Sequence, residues 1–461
     1  MRFARSRQGR LTAAPAILSI VVGIAVFAWS PLDAAVRPPK LQYQISTLPN
    51  GLRLILSEDH STPIVHVSVW YHVGSKNERA GRTGFAHLFE HMMFKGSKNV
   101  EPDSHTSIIA SVGGRSNAYT TEDETVFWQT LPAHYLPLAL WLEADRMATL
   151  RLDDDAFRRE REVVKEERRM RVENQPYGRL SEIIYDHAFT NHPYKHSTIG
   201  SMADLEAATT RDVIDFHDTY YVPNNATVVV VGDFETKQAQ GLVEKYLGRV
   251  VRGKDVPRDI PKEPAPTAER KFTVTESWPL PAVVVSYPIT FDGHPDAYPL
   301  HILAKILSDG ESSRIYKSLV YEKQIALAAF GEAKLIEHPN LFYAVAVVDR
   351  GQQPDNVLKE LQAQLDKVKT EGVTAAELDR AKRQFARDYI LGRETVRMKA
   401  LHLGHAIVIH NDIKSADGEF DLFQNVTQAD VQRVAKTYFT PESRMLLTIM
   451  PRGAAGGGGG R

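Results

Sequence analysis

Apolar and polar positions follow two periods along this chain. Gln42 to Thr47, Leu52 to Ser57 and Ile64 to Trp70 are β-branched or alternating, and Pro49-Asn50-Gly51 separates the first two. They read as strands, the first pair joined as a hairpin. Thr125 to Leu131 and Ala226 to Val231 read as two more strands. Gly84 to Phe94 is apolar almost all round, which predicts a buried helix. A long helical stretch is expected from Tyr135 to about Val172, and a short one from Asp212 to Tyr221. Between Val251 and Glu269 the composition turns to Pro, Lys, Asp and Glu, which predicts a linker.

Beyond the linker the pattern starts again. Asp212-Val213 leads to Thr219-Tyr220-Tyr221-Val222-Pro223 and a strand. Asp430-Val431 leads at the same spacing to Thr437-Tyr438-Phe439-Thr440-Pro441 and the strand Met445 to Ile449. His301-Ile302-Leu303-Ala304-Lys305 precedes Gly310 much as His87 to His91 precedes Gly96. Two similarities in the same order point to an internal repeat. The expected fold class is therefore α/β (α+β), with two homologous domains of mixed sheets and helices packed on one face. Their expected bounds are 43–250 and 270–450, with 251–269 between them.

In the first copy, His87-Leu88-Phe89-Glu90-His91 sets two imidazoles and a carboxylate in an H-x-x-E-H frame. On a helix these positions share one face, so both histidines can reach one divalent ion with the glutamate beside it. Such a set can activate water at neutral pH. In the second copy Glu90 and His91 become Ala304 and Lys305, so the chemistry stays with the first half. The 461-residue chain has no cysteine. Thiolate ligands, disulfides and a cysteine nucleophile are thereby excluded. Its 56 basic and 57 acidic residues nearly cancel, so no field favours nucleic acid.

A catalytic zinc usually has three protein ligands. At 100° per residue, Ala156, Phe157, Val163, Val164 and Met170 form an apolar stripe on the helix Asp155 to Arg171, and Glu160 and Glu167 fall inside it. Buried carboxylates need partners. A metal on His87 and His91 supplies one, and Glu–Arg bridges using Arg171 are the alternative. Of the remaining histidines, His402, His405 and His410 cluster on one predicted helix with no carboxylate at ligand spacing, so no second metal is expected there. His301 is expected to pack rather than ligate.

His87, Glu90 and His91, followed by Glu160-Arg161-Glu162-Val163-Val164-Lys165-Glu166-Glu167, resemble the motifs of the M16 metallopeptidases, the pitrilysin or inverzincin family. The chain looks closest to the two-domain members related to the mitochondrial processing peptidase. Gly113 to Ala118 and His192-Pro193-Tyr194 are also similar. The resemblance implies a clam-like peptidase half and a zinc-dependent endopeptidase holding one Zn2+ per chain on His87, His91 and Glu167. Glu90 would be the general base and Glu160 an auxiliary glutamate orienting a histidine ligand. Asn117 and Ala118 would lie on a strand that pairs with extended peptide substrate.

In active single-chain relatives an Arg and a Tyr, seven residues apart in the second half, bind the substrate carbonyl. Val320 and Leu327 stand at those positions here. Arg314 and Tyr321 have the same spacing but a register shifted by six. This implies a paralogous partner subunit that supplies the pair in a heterodimer, with a homodimer as the alternative. A non-catalytic M16-like scaffold or peptide-binding subunit is the rival function, and a metal-storage or sensor protein a third reading.

Arg2, Arg5, Arg7 and Arg10, then the apolar run Leu11 to Trp29 and small residues Ala34 and Ala35, resemble an export signal within 1–35. A periplasmic or secreted body is expected, with the run also long enough to serve as a membrane anchor. The Gly-rich end, 451–461, is expected to be disordered.

Overall fold

A computed structural model of the chain describes residues 37–452. The expected export signal lies outside the described residues, as does nearly all of the Gly-rich end. Among the described residues, no helix is long and apolar enough to cross a membrane.

The first half runs β1 (Gln44–Thr47), β2 (Arg53–Glu58), β3 (Ile64–Tyr71), α1 (Phe85–Met92), α2 (Ser104–Ser111), β4 (Arg115–Thr120), β5 (Thr125–Pro132), α3 (Leu136–Thr149), α4 (Asp154–Arg168), α5 (Leu180–Ala188), α6 (Met202–Ala207), α7 (Thr210–Tyr220), β6 (Ala226–Gly232) and α8 (Thr236–Tyr246). The second runs β7 (Arg270–Glu276), β8 (Ala282–Ile289), α9 (Ala297–Ser308), β9 (Ala326–Ala333), β10 (Asn340–Val348), α10 (Pro354–Glu371), α11 (Ala375–Leu391), α12 (Val396–Val408), α13 (Ser415–Gln424), α14 (Gln428–Tyr438) and β11 (Met445–Pro451).

The repeat is visible in the strand order. One sheet is β1-β2-β6-β3-β5-β4 and the other β7-β11-β8-β10-β9. Leaving out β1, the orders coincide and so do the senses: β2 with β6 and β7 with β11 are parallel, and every other pairing is antiparallel. The matched sequence segments do the same work in each copy. Thr209 and Asp212 form a capping box at α7, and Thr427 and Asp430 form one at α14. Such reciprocal side-chain bonds satisfy backbone donors that a helix start leaves unpaired. Tyr221 and Phe439, at the far ends of these helices, are each 1% exposed in their cores.

Each half packs its own helices on one face of its sheet. In the first, Val65, Val67, Val69, Val228 and Val230 meet Leu88 and Phe89 of α1 and Leu140 of α3. The opposite faces are covered by exchange. Ile55, Trp70, Val126 and Val229 of the first sheet lie under Val396, Ala400 and Leu403 of α12. Val284, Val345 and Leu447 of the second sheet lie under Ile183 and Ile184 of α5. Strands buried on both faces read as continuous apolar runs, as in Ala226 to Val231.

The stretch Tyr135 to Val172 is not one helix. It breaks at Leu150–Asp153, where the Asp153 carboxylate accepts from the Ala156 N–H at 2.8 Å and starts α4. Residues 251–269 carry no regular element and are fastened to the surface. Arg258 donates to the His72 carbonyl at 3.0 Å, and Glu263 accepts from the backbone of Thr190, Asn191 and His192.

Candidate metal centre

The entry to α1 is tightly specified. Gly84 precedes it at φ +91°, and a side chain there would come within 2.6 Å of the Ile199 carbonyl oxygen. Only glycine takes this conformation cheaply. The buried Glu78 carboxylate accepts from the Gly84 and Ala86 N–H groups, each at 2.8 Å. It satisfies donors left by the helix start.

One turn on, the His87 and His91 rings meet edge to face, with centroids 4.9 Å apart and planes at 75°. Both turn Nε2 towards one oxygen of Glu167 on α4. His87 Nε2 lies 3.7 Å and His91 Nε2 3.3 Å from Glu167 Oε2. Two ligands bound tetrahedrally to zinc at about 2.0–2.1 Å are roughly 3.3 Å apart. The two distances to Glu167 Oε2 are close to that spacing, one donor atom from each residue lies within 4.8 Å of the others, and the N2O donor set suits zinc. Arg171 binds the other oxygen, Glu167 Oε1, at 2.6 Å and leaves Oε2 to face the histidines. The Glu–Arg bridge considered from the sequence is therefore present alongside the ligand arrangement, not instead of it.

Glu160 stands behind the site. Its Oε2 is 3.5 Å from His91 Nδ1 and its Oε1 is 2.8 Å from Lys95 Nζ. Glu90 projects beside the histidines and accepts a hydrogen bond from Thr120 Oγ1 at 2.7 Å. Burial raises the Glu90 pKa, the Glu167 charge adds to this, and Thr120 and His91 oppose it. Burial drops the His87 pKa to about 3, with His91 and Arg171 adding to the effect. A neutral imidazole with a free Nε2 lone pair is the form that ligates a metal.

Thr120 ends β4, which also carries Asn117 and Ala118. Among the described residues β4 is the last strand of its sheet, and one edge has no strand beside it. Ala118 is buried against the core that holds α1, and Asn117 is exposed. Strand and metal cluster therefore meet at the Thr120–Glu90 bond. His192 fills a local role: its Nδ1 accepts from the Tyr194 N–H at 3.1 Å and caps the turn.

The stripe predicted on α4 holds for Ala156, Phe157 and Val164, but Val163 is 49% and Met170 56% exposed. The buried face is centred nearer Glu160 and Val164. The helix also widens to π-helical geometry over Arg169–Glu173, which shifts the phase under Met170. Lys165 is 8% exposed and pairs with Glu162 and Glu206. In the second half, His301 packs against Phe423 and Phe385, and Lys305 is paired to Asp309 and Asp388. Sequence reasoning missed Glu78, Thr120 and Lys95. Of these Lys95 was readable, four residues after His91 on the same helical path.

Two family profiles match the chain. "Insulinase (Peptidase family M16)" covers residues 53–202, and "Peptidase M16 inactive domain" covers 207–385. The chain is 32% identical over 446 residues to the zinc protease PqqE of Helicobacter pylori, an alignment covering 96% of this chain and 98% of that protein. It is 22% identical over 423 residues to the probable mitochondrial-processing peptidase subunit beta of Arabidopsis thaliana, covering 88% of this chain and 78% of that one. The crystal structure of a protease from Helicobacter pylori superposes with a TM-score of 0.85 at 32% identity, over 89% of this chain and all of that one. The periplasmic protease PqqL of Escherichia coli shares the fold, with a TM-score of 0.73 at 19% identity over 91% of this chain and 49% of that one. With both halves matched in order and a relative a third identical along nearly its whole length, the chain belongs to peptidase family M16.

Proposed function

We propose that the chain is a zinc-dependent endopeptidase that cleaves extended peptides or unfolded polypeptides. The observation that carries this reading is the convergence of His87 Nε2, His91 Nε2 and Glu167 Oε2 beside the buried carboxylate of Glu90. His87, His91 and Glu167 would hold one zinc ion, which when bound acidifies water and polarises the scissile carbonyl. Glu90 takes the proton of the attacking water and hands it to the leaving amine. Thr120 holds Glu90 through Oε2 and leaves Oε1 to the water. Glu160 and Lys95 fix the His91 ring. The free edge of β4 binds substrate backbone through Asn117 and Ala118, a mode that tolerates many sequences. The body of the protein is exported, to the periplasm or beyond, by the segment 1–35.

The rival reading, a non-catalytic peptide-binding subunit, is suggested by the family resemblance, in which Val320 and Leu327 stand at the sequence positions of the Arg and Tyr of active single-chain members. Glu90→Gln separates the two. It keeps every ligand and removes the base, so zinc content should stay at the wild-type level while turnover of a quenched peptide falls about 10²–10⁴-fold. No turnover by the wild type, alone or with a second subunit, would exclude the peptidase reading, and equal turnover in wild type and variant would exclude Glu90 as the base.

A further inference from the structure

No carboxylate stands at ligand spacing to His405 and His410 in their own stretch of sequence, but the fold brings one from 113 residues upstream of His405. Asp292 follows β8 on the loop to α9. His405 lies in α12 and His410 just beyond its end. Asp292 Oδ2 is 2.8 Å from His405 Nε2 and 2.9 Å from His410 Nε2. Gly293, at φ +83°, turns the loop directly after Asp292, and the His410 ring lies 3.6 Å from where a side chain at Gly293 would sit.

His410 Nδ1 lies 2.8 Å from Ser415 Oγ, which donates to the Asp412 carbonyl at 2.7 Å. Its Nε2 is buried and makes no hydrogen bond, although Asp292 Oδ2 stands 2.9 Å away. A carboxylate oxygen and an imidazole nitrogen this close need a cation between them, a proton or a metal ion. Two further carboxyl groups lie nearby. Glu419 Oε1 is 4.0 Å from His410 Nδ1, and Glu124 of the first half, 6% exposed with Oε2 unpartnered, acts electrostatically on His405. A cavity of about 670 Å³ opens onto Asp292, His405, Glu419 and Glu124, and the His405 side chain is 43% exposed, so an ion has a way in.

We propose that Asp292, His405 and His410 form a second divalent-metal site, suited to zinc, that pins the end of α12 to the loop before α9. Two imidazoles and a carboxylate are borderline-hard donors of the kind that zinc takes. The present contacts are shorter than the roughly 3.3 Å edge of a zinc tetrahedron, so Asp292 withdraws by about half an ångström on binding. The site is a clamp: α12 is the helix that covers the first sheet, and the loop belongs to the second. It raises the expected zinc content from one to two per chain.

The test is the zinc content of the full-length chain, stripped with chelator and reloaded with a zinc salt alone. The expectation is two equivalents in the wild type, one in His405→Ala, one in Glu167→Ala and none in the double variant. Zinc should also raise the melting temperature of Glu167→Ala but not of the double variant. Asp292→Asn, which keeps shape and loses charge, should match His405→Ala and guards against a folding defect in the latter. Wild-type zinc content in both His405→Ala and Asp292→Asn would overturn the proposal and leave Asp292 as an ion-pair partner of two imidazolium rings. A wild-type content of one, lost in His405→Ala and kept in Glu167→Ala, would support this site and refute the other.

Discussion

Glu160 touches His91 with one oxygen and Lys95 with the other. Burial disfavours its charge, but His91 and Lys95 more than restore it, and the pKa is lowered overall. A carboxylate held ionised behind a ligating imidazole fixes the ring and raises its basicity. Glu160→Gln should therefore weaken zinc about 10–100-fold, measured by competition with a chelator. Unchanged affinity and turnover would leave Glu160 a structural residue only. His87, Glu90, His91, Glu160 and Glu167 were legible because helical spacing puts them on facing stripes. Thr120 was not, since a strand register set by Thr120 opposite Thr125 brings it to Glu90 from 30 residues away. Asp292 was hidden for the same reason at longer range.

At the scale of elements, α1 is the part on which the centre depends, and its start rests on Glu78. Glu78 is 8% exposed, accepts two backbone N–H bonds and lies outside the helix that it caps. Glu78→Ala leaves those donors buried and unpaired, which costs about 1–3 kcal/mol. The variant should be less stable by that amount, melt at a lower temperature and also release zinc more readily, because His87 sits in the first turn. A lower melting temperature with unchanged zinc affinity would mean that α1 holds its shape without the cap. Strands and helices were mostly readable from period alone, yet the break between α3 and α4 was not. Its signal, Asp153 three residues before Ala156, lay inside a run of acidic residues that masked the cap. The exchange of α5 and α12 had no sequence signal, because periodicity names an apolar face without naming the sheet that covers it.

For the whole molecule, two halves that trade helices also share buried charge. Lys76, 3% exposed, lies 3.0 Å from Asp123 Oδ1 and against Glu337 of the second half, whose Oε2 is 2.6 Å from His72 Nε2. The Tyr194 hydroxyl donates to Asp123 at 2.6 Å and accepts from the His338 N–H at 3.2 Å. Burial opposes the Glu337 charge, but His72 and Lys76 outweigh it and hold the pKa at about 2. A carboxyl with a folded-state pKa below its unfolded value contributes stability above the unfolded value, about 4.3, and loses it as pH falls towards 2. Wild type should therefore exceed Glu337→Gln in stability by a few kcal/mol at neutral pH, at about 1.4 kcal/mol per pKa unit, and the gap should close between about pH 4.5 and 2. A gap independent of pH would show that packing, not charge, joins the halves here.

The same scale decides whether one chain suffices for catalysis. Arg314 is committed to Glu377, with Nε 2.7 Å from Oε1, and to the Gly372 carbonyl at 3.0 Å, while Tyr321 is 74% exposed. Arg314 is thus spent within its own half and does not replace the missing pair. Val320 packs against the second core, and Leu327 stands 61% exposed on the edge strand β9. Neither side chain can donate to a substrate carbonyl, and losing such a donor costs on the order of 10²–10³ in rate. The purified chain should bind zinc and cleave a quenched peptide poorly. Adding a paralogous subunit that carries Arg and Tyr seven residues apart should raise turnover by about that factor, and mutating either residue in the partner should abolish the gain. Light scattering would follow assembly in the same samples. Full turnover by a monomer or homodimer would remove the need for a second subunit and leave the zinc ligands where they are.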